Sequence, residues 1–379
     1  AVIAIVPGSE NGSEECDGKE VKGWLLSCAP RAVKPLLAKF AALGCLFEGL
    51  QSHYKLMIDG KSGNGAFSTV VRGETPQGEN RALKLMKGKV QRHAVLREAD
   101  MLNAAQGSGY IIRFHGAFSD LIVGESSARR RWALVFDFHH RGDLYDHVVS
   151  RRSLTESQAL PLAQNLLHGL AHLGSRGIFH RDVKPENLLI SASKNAVLTD
   201  FGISTLISDT ESLKDTFGSL GYASPEMLQG QSTGCHGDWF GSGVVLYFML
   251  STSTPFLAPT PDLIKQRTCQ GSVRLSYGCF EHTSQDCRDL MLKLMAVDIG
   301  ERWTAQQALA SPCFKALSTR YSTLSDSALP SVRSICAGFT ADGEDRSEQI
   351  PSTCRSGISP ASVGALAFLS PANQQHFGR

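Results

Sequence analysis

Residues His180–Asn187 read HRDVKPEN, and residues Asp200–Gly202 read DFG. The apolar run Leu188–Ile190 between them predicts a short strand that is followed by a turn. A loop, a strand and a turn in this order can bring two carboxylates, an amide and an ammonium group to one place. These groups belong to Asp182, Lys184, Asn187 and Asp200. Hard oxygen ligands suit Mg²⁺, and Mg²⁺ suits nucleotide phosphates, so the pattern indicates a magnesium–nucleotide site rather than a solvated polar loop.

A glycine-containing loop and a lysine precede these motifs. Residues Gly63–Val70 read GNGAFSTV and lie between two predicted strands. Glycines let the backbone approach phosphates, although a glycine pair before Phe is more often only a hairpin. Lys84, on the next strand, is either a strand residue whose tip reaches solvent or a cation directed at phosphate. In the second interpretation Glu98, on a predicted helix, pairs with Lys84.

The spacing of apolar residues predicts strands first and helices later. The predicted strands include Thr69–Val71, Arg81–Leu85 and Trp132–Phe136. The predicted helices include Val90–Ala105, Thr155–Leu173 and Trp239–Leu250. The last of these is apolar on nearly every face and is therefore expected to be buried. Thr155 and Gln158 resemble a capping box at the start of the second helix.

In order and spacing, these motifs resemble those of the eukaryotic-type protein kinases, over about residues 54–317. Two later motifs agree with the resemblance. Residues Gly218–Glu226 read GSLGYASPE, similar to the end of an activation segment, and Asp238–Phe240 is similar to the start of the buried central helix. The resemblance also implies that Arg302 pairs with Glu226.

The implied fold class is α+β, with the bilobed protein kinase fold. A small, mainly antiparallel β N-lobe with one helix covers about residues 54–138, and a larger, mainly α-helical C-lobe covers about residues 139–317. Residues 1–53 are expected to be an N-terminal extension, and the Ser-, Ala- and Pro-rich residues 318–379 a disordered tail. The segment Arg31–Leu50 is expected to pack on its own domain, with an interfacial or partner-binding helix as the alternative.

The resemblance implies ATP and Mg²⁺ as cofactors and a role for each site residue. Asp182 orients the substrate hydroxyl and accepts its proton, while Lys184 steadies the γ-phosphate. Lys84 holds the α- and β-phosphates and is itself held by Glu98. The implied metal ligands are Asn187 and Asp200. The implied nucleotide-binding residues, besides Lys84, are Gly63, Asn64, Gly65, Ser68, Val70, Ala82, Phe136, Asp137, His139, Asp143 and Leu189.

The implied activity is transfer of the γ-phosphoryl group of Mg-ATP to Ser or Thr hydroxyls of protein substrates. Lys184 two residues after Asp182 is typical of the serine/threonine branch, and the loops most resemble the calcium/calmodulin-dependent group. Acidic residues near Asp143 and Glu186 indicate substrates with basic residues. A pseudokinase that binds nucleotide without turnover is the alternative, and a small-molecule kinase is a third reading that Ser224–Glu226 and the Asp238 helix disfavour.

The composition of the chain limits the classes of partner that it is expected to bind and indicates a location. Lys and Arg number 38 against 36 Asp and Glu, a net charge of +2, which gives no electrostatic basis for binding nucleic acid. No apolar run reaches the ~20 residues that span a bilayer. The ten cysteines are scattered without CxxC pairs, so we expect an intracellular, cytoplasmic location, with the nucleus left open. Residues 318–379 contain no strongly basic amphipathic helix, so calmodulin binding is not supported.

The activation segment carries one further hypothesis. Asp215 occupies the position where many relatives have a phosphorylated Thr, and Thr216 is its neighbour. Since Arg181 precedes Asp182, an anion from this segment can dock on the arginine. We therefore expect Asp215 to substitute in part for phosphate, with a solvated loop aspartate as the alternative.

Overall fold

The structure is a computed structural model that describes most of the region between residues 50 and 315 and three short strands before it. The described residues are 2–5, 24–27, 46–47, 50–57, 63–64, 67–87, 90–121, 131–214, 218–231, 234–276 and 278–315. Gly65, Asp215, Thr216 and residues 318–379 lie outside the described residues, as does most of Arg31–Leu50. The predictions made for those positions therefore stay predictions.

The described residues contain strands in the first part of the chain and in the loops of the second part. The strands are β1 (Val2–Ile5), β2 (Trp24–Ser27), β3 (Leu46–Phe47), β4 (Lys55–Met57), β5 (Gly63–Asn64), β6 (Ser68–Glu74), β7 (Asn80–Met86), β8 (Phe114–Leu121), β9 (Arg131–Asp137), β10 (Ile178–Phe179), β11 (Leu188–Ile190), β12 (Ala196–Leu198) and β13 (Thr205–Leu206). The predicted strand positions in β6, β7 and β9 are confirmed.

Helices dominate the second part. The α-helices are α1 (Leu50–His53), α2 (Arg92–Ala105), α3 (Leu144–Val149), α4 (Glu156–Ser175), α5 (Pro225–Leu228), α6 (His236–Ser251), α7 (Pro261–Gln270), α8 (Gln285–Leu294) and α9 (Ala305–Leu309). Short 3₁₀ helices lie at Pro185–Asn187, Ser212–Lys214 and Gly278–Phe280. The three predicted helices are α2, α4 and α6, and Thr155 caps α4 as expected, its N–H donating to Gln158 Oε1 at 3.0 Å.

One large sheet forms the N-lobe. Its strand order is β2-β1-β3-β8-β9-β7-β6-β4, and β5 pairs with β6. Pairing is antiparallel except between β3 and β8, where Leu46 lies beside Ala117. The part of the Arg31–Leu50 segment that the structure describes is strand β3, which lies inside the sheet between β1 and β8, and Leu50, the first residue of helix α1.

The two faces of this sheet bury different groups because side chains alternate along a strand. Leu83 and Leu85 of β7 join a core on the outer face that also contains Leu50 of α1. Tyr54 lies edge-on to Phe118 in this outer core, with ring centroids 5.7 Å apart. The inner face of β7 carries Ala82, which packs against the main core, and Lys84, whose ammonium group contacts Glu98 of α2.

The C-lobe is built around α6. Phe240, Val244 and Leu246 of this helix are fully buried, as its uniformly apolar sequence predicts. Helix α4 packs against α6, and the two small sheets β10–β13 and β11–β12 carry the loops of the site. The predicted bilobed α+β architecture is confirmed, whereas the exact limits of the domain and of its flanks stay predictions. Within the described residues, no helix has the length and apolar character needed to cross a bilayer.

Candidate active site

Lys84 connects three elements. It lies on the inner face of β7, and its Nζ is 2.7 Å from Glu98 Oε1 of helix α2. The same Nζ is 2.7 Å from Asp200 Oδ1, a residue 116 positions later in the chain. Glu98 is buried, whereas the Asp200 side chain is about half exposed, at 47%. The hypothesis that Glu98 pairs with Lys84 therefore has the expected geometry.

The charged groups of Lys84, Glu98 and Asp200 shift one another's pKa values. Burial disfavours the charged form of Lys84, but the carboxylates of Asp200 and Glu98 outweigh this effect and raise its pKa. The nearby Lys84 ammonium is the main reason that the pKa of Asp200 falls to about 2. Burial raises the pKa of Glu98 despite the opposing effect of Lys84. At neutral pH the amine and the Asp200 carboxylate are therefore both charged.

Helix α6 holds the start of the loop His180–Asn187 in place. The backbone N–H groups of His180 and Arg181 donate to the two carboxylate oxygens of Asp238 at 2.8 and 2.9 Å. Arg181 has a positive φ of 73°, which a non-glycine residue adopts only where its surroundings hold it. The His180 ring packs edge-on against Phe201 with centroids 5.0 Å apart. These contacts hold Asp182 at the surface of the loop.

Three side chains hold the Asp182 carboxylate. Lys184 Nζ donates to Oδ2 at 2.6 Å, and Asn187 Nδ2 donates to the same oxygen at 2.9 Å. Ser219 Oγ donates to Oδ1 at 2.8 Å and accepts from Lys184 Nζ at 2.8 Å. The carboxylate is therefore fixed in one orientation.

Ser219 is the residue that the sequence interpretation missed. It lies 37 residues after Asp182, on the activation segment, and neither periodicity nor local charge distinguishes it. Its one signal is its place after Gly218, in the run that ends in Ser-Pro-Glu.

Asp200 and Asn187 are brought together by backbone pairing. Strand β11, directly after Asn187, pairs with β12, and the Thr199 N–H donates to the Asn187 carbonyl at 2.9 Å. Asp200 itself has a positive φ of 64°, which turns its side chain out of the strand direction. Asn187 contacts Asp182 directly, and Asp200 directly follows Thr199, which bonds to the Asn187 backbone.

The donor set of these residues fits Mg²⁺. The Asn187 amide nitrogen donates to the carbonyl and to the carboxylate of Asp182, so its Oδ1 is the atom available to a cation. Among the described residues no cluster of three His, Cys, Asp or Glu side chains forms a metal site. Mg²⁺ commonly takes one or two protein oxygens and completes its shell with water and phosphate, which matches Asn187 with Asp200.

The residues predicted to line the nucleotide pocket lie on strands near Lys84, Glu98 and Asp200. Val70 of β6 pairs with Lys84, and Ala82 of β7 pairs with Phe136 of β9, which is buried. Leu189 lies on β11 and is partly buried.

The loop residues are described only in part. Gly63 and Asn64 form β5, which pairs with Val70 and Thr69, and Ser68 begins β6. Gly65 lies outside the described residues. In the described residues, β5 runs antiparallel to β6.

The connection between the lobes contains an ionic contact. Asp137 ends β9, and its Oδ1 lies 2.7 Å from His115 Nε2 and 3.9 Å from Arg81 Nη1. Burial opposes the charge of Asp137, but the His115 hydrogen bond and the nearby guanidinium groups of Arg81 and Arg113 together outweigh it and lower the pKa. His139 follows two residues later. Asp143 caps α3 by accepting from the Asp146 N–H at 2.9 Å.

The C-lobe also contains the expected pair of Arg302 and Glu226. Two guanidinium nitrogens of Arg302 donate to Glu226 Oε1 and Oε2 at 2.6 and 2.9 Å. Both side chains are almost completely buried. This bidentate pair braces the end of the activation segment against the last helices and takes no direct part in the site.

A family model described as "Protein kinase domain" matches residues 57–314. The chain belongs to the protein kinase family. The resemblance inferred from the motifs is thereby confirmed. The match begins within β4 and ends in the last described residues, so it includes every element that carries the site of this protein kinase.

Similarity to individual curated proteins indicates which group of protein kinases this chain resembles. The kinase is 31% identical over 230 residues to the phosphorylase b kinase gamma catalytic chain, liver/testis isoform, of Bos taurus, covering 59% of this chain and 55% of the relative. It is 28% identical over 317 residues to calcium-dependent protein kinase 25 of Arabidopsis thaliana, covering 79% and 59%. It is 35% identical over 175 residues to serine/threonine-protein kinase SIK2 of Gallus gallus, covering 46% and 21%.

These relatives support a kinase of the serine/threonine type, close to the calcium/calmodulin-dependent group. The chain spans between about half and two thirds of the length of the first relatives, 55% and 64% for two of them.

Proposed function

We propose that this protein transfers the γ-phosphoryl group of Mg-ATP to Ser and Thr hydroxyls of protein substrates. The observation that carries the proposal is the position of Lys84 Nζ, 2.7 Å from both Glu98 and Asp200. This contact joins the N-lobe helix to the DFG turn. Phosphoryl transfer asks a protein mainly for alignment and charge neutralisation, which such a junction provides.

Nucleotide binding is assigned to the cleft between the lobes. Val70 and Ala82 from above and Leu189 from below would enclose the adenine, with Phe136 at the back. The backbone beside Asp137 and His139 would hydrogen-bond the base. The Lys84 ammonium would hold phosphate oxygens, and its raised pKa keeps it charged at neutral pH.

Asp182 is assigned as the group that orients the substrate hydroxyl and accepts its proton. Its carboxylate is held by Lys184 and Asn187 on one oxygen and by Ser219 on the other. A positioned base of this kind contributes roughly 10²–10⁴-fold to the rate. Lys184 would also neutralise charge on the transferred group once a substrate is present.

Asn187 and Asp200 are the residues that would hold Mg²⁺. The bound metal supplies positive charge that neutralises the phosphate oxygens during transfer. Asp200 is suited to this task because the pKa of its carboxyl, lowered to about 2 by Lys84, leaves it ionised throughout the physiological range.

An intracellular location stays a prediction from the cysteine spacing.

A preference for basic substrates is the finer part of the proposal. Glu186 Oε2 is buried and has no hydrogen-bond partner among the described residues. Burial raises the pKa of Glu186, and the like charges of Asp182 and Asp143 add to that effect. An arginine side chain of a substrate would neutralise this cluster, so basic residues near the acceptor hydroxyl are favoured.

The test is transfer of label from γ-labelled ATP to Ser/Thr peptides. Wild-type protein is compared with Asp182→Asn and Asp200→Ala, and nucleotide binding is measured separately by fluorescence titration. We expect label on the peptide with the wild type, its loss in both variants, and retained nucleotide binding in Asp182→Asn. Nucleotide binding by the wild type without any transfer would contradict the proposal and indicate a pseudokinase.

A further inference from the structure

Strand β8 contains an irregularity beside the last residues of β9. Phe114 of β8 pairs with Phe136 of β9. The next pair joins Gly116 to Val135, so β8 has one residue more than its partner at this point. The extra residue is His115, and Gly116 after it has a positive φ of 139°. A bulge of this kind turns one side chain out of the regular alternation of a strand and is common beside active sites.

The His115 ring contacts the carboxyl group of Asp137. The distance from His115 Nε2 to Asp137 Oδ1 is 2.7 Å. Burial opposes the charge of Asp137, but the His115 hydrogen bond and the nearby positive charges outweigh it and lower the pKa. The carboxylate is therefore ionised at neutral pH and can only accept hydrogen bonds, so His115 Nε2 carries the hydrogen and donates it.

Among the described residues, His115 is the one side chain that donates a hydrogen bond to this carboxylate. Arg81 Nη1 lies 3.9 Å from Asp137 Oδ1, which is too far for a hydrogen bond. The Arg81 guanidinium is held by its own hairpin, since it donates to Glu79 Oε2 at 2.8 Å and to the Asn80 carbonyl at 2.9 Å. The orientation of the Asp137 side chain therefore depends on His115.

Strand β8 holds the end of β9 through its backbone and its side chains. The Asp137 N–H donates to the Arg113 carbonyl at 3.1 Å. The Phe114 ring packs on the Phe136 ring with centroids 5.7 Å apart, and both residues are buried. His115 adds the side-chain contact to the last residue of β9. These three residues of β8 therefore fix Phe136 and Asp137, which border the proposed adenine site.

We propose that His115 is a positioning residue for the nucleotide, which holds the Asp137 side chain and thereby the backbone to which the adenine base would bind. The inference rests on the proposed function, because that function places a nucleotide in the cleft. The phosphates are assigned to Lys84 and to the metal held by Asp200, so loss of the His115 contact should weaken binding of the base alone. The His115 and Asp137 side chains are 17% and 37% exposed, so the expected change in affinity is about 5-fold.

A matched pair of amide variants tests this role. His115→Gln keeps a donor nitrogen near the position of Nε2, whereas the shorter His115→Asn places its amide where Nδ1 lies and cannot reach Asp137. The probes are adenosine, which has no phosphates, and magnesium tripolyphosphate, which has no base. Each displaces a fluorescent ATP analogue from the full chain.

The two probes should respond differently. We expect His115→Asn to weaken adenosine binding by about 5-fold and His115→Gln to stay within about 2-fold of the wild type. Tripolyphosphate binding should be unchanged in both variants, which also shows that they are folded. An equal loss for both probes, an equal loss of adenosine binding in the two variants, or no loss in His115→Asn would overturn the inference.

A double-mutant cycle measures whether His115 acts through Asp137. Asp137→Ala combined with His115→Asn should bind adenosine no more weakly than the weaker single variant, whereas independent effects would add. In peptide phosphorylation, His115→Asn should raise KM for ATP by about 5-fold and leave kcat within about 2-fold. The control is His282→Asn, at an exposed histidine of the C-lobe. Additive losses, a fall confined to kcat, or an equal rise of KM in His282→Asn would also overturn the inference.

The failure of this inference and the failure of the proposed function give different results. If the wild type binds adenosine and His115→Asn shows the expected loss, but no phosphate is transferred, the proposed function alone is contradicted. If the wild type transfers phosphate and His115→Asn binds adenosine as tightly as the wild type, only the role of His115 is contradicted.

Discussion

The Ser219 hydroxyl donates a hydrogen bond to Asp182 Oδ1 at 2.8 Å. This contact joins the activation segment to the proposed base, and Lys184 completes a triangle by donating to both residues. The orientation of the proposed catalytic carboxylate therefore depends in part on the position of Ser219 in the activation segment.

Replacing Ser219 tests this dependence. In Ser219→Ala the Asp182 carboxylate loses one of its donors, so we expect kcat to fall by roughly 10- to 100-fold. The KM for ATP should change little, because Ser219 contacts none of the proposed nucleotide residues. Ser219→Thr retains the hydroxyl and is the matched control. Steady-state kinetics that place the loss of Ser219→Ala in KM for ATP would contradict this role.

The ion pair of Lys84 and Glu98 leads to a second prediction, which concerns the stability of the protein. Lys84→Met leaves the Glu98 carboxylate buried without its ion pair, so the free energy of unfolding should fall by about 3 kcal/mol. Lys84→Met combined with Glu98→Leu removes the buried charge and should restore much of that loss. Denaturant unfolding of the two variants measures the difference, and equal losses in both would show that the pair carries no such energy.

The pair of Arg302 and Glu226 predicts a pH-dependent stability. The buried Glu226→Gln variant should lose about 3–5 kcal/mol of unfolding free energy. Burial opposes the charge of Glu226, but the hydrogen bonds it accepts, mainly from Arg302, and the positive charge of Arg302 together outweigh this effect and lower the pKa below its ordinary 4.5. Its contribution is therefore complete above pH 4.5 and is lost as the pH falls through the folded-state value.

The control for this pair is an exposed one. Lys293 and Glu301 lie 3.2 Å apart with 44% and 70% of their side chains exposed. Glu301→Gln should change stability by less than about 1 kcal/mol. Urea unfolding between neutral pH and pH 3 measures the pH dependence of stability. If acid lowers the unfolding free energy of Glu226→Gln as much as that of the wild type, Glu226 is not the source of that pH dependence.

Substrate choice gives the last prediction. Glu186→Gln removes the charge of a carboxylate whose Oε2 is buried and has no hydrogen-bond partner among the described residues, so KM for peptides with Arg near the acceptor should rise by about 10-fold. A peptide in which that Arg is replaced by Ala is the control, and its KM should not rise. An equal effect on both peptides would place Glu186 outside substrate recognition.

Much of the fold was predictable because its signals are local. The helix over Arg92–Ala105 follows from helical spacing of apolar residues, and α6 from a run that is apolar on all faces. The capping residue Thr155 was recognisable from its distance to Gln158. The strand Leu46–Phe47 was not, because its partner Ala117 lies on β8, far along the chain, and the pairing has no local signature.

By itself the amino-acid sequence determined the order of the motifs, the types of groups they contain and the family to which the chain belongs. Only the tertiary structure decided which groups meet: Lys84 with both Glu98 and Asp200, Ser219 with Asp182, and Arg97 with Ser212. The physical reason is the range of the interactions. Spacing along the chain governs helices and strands, whereas contacts between residues up to 116 positions apart depend on how those elements pack.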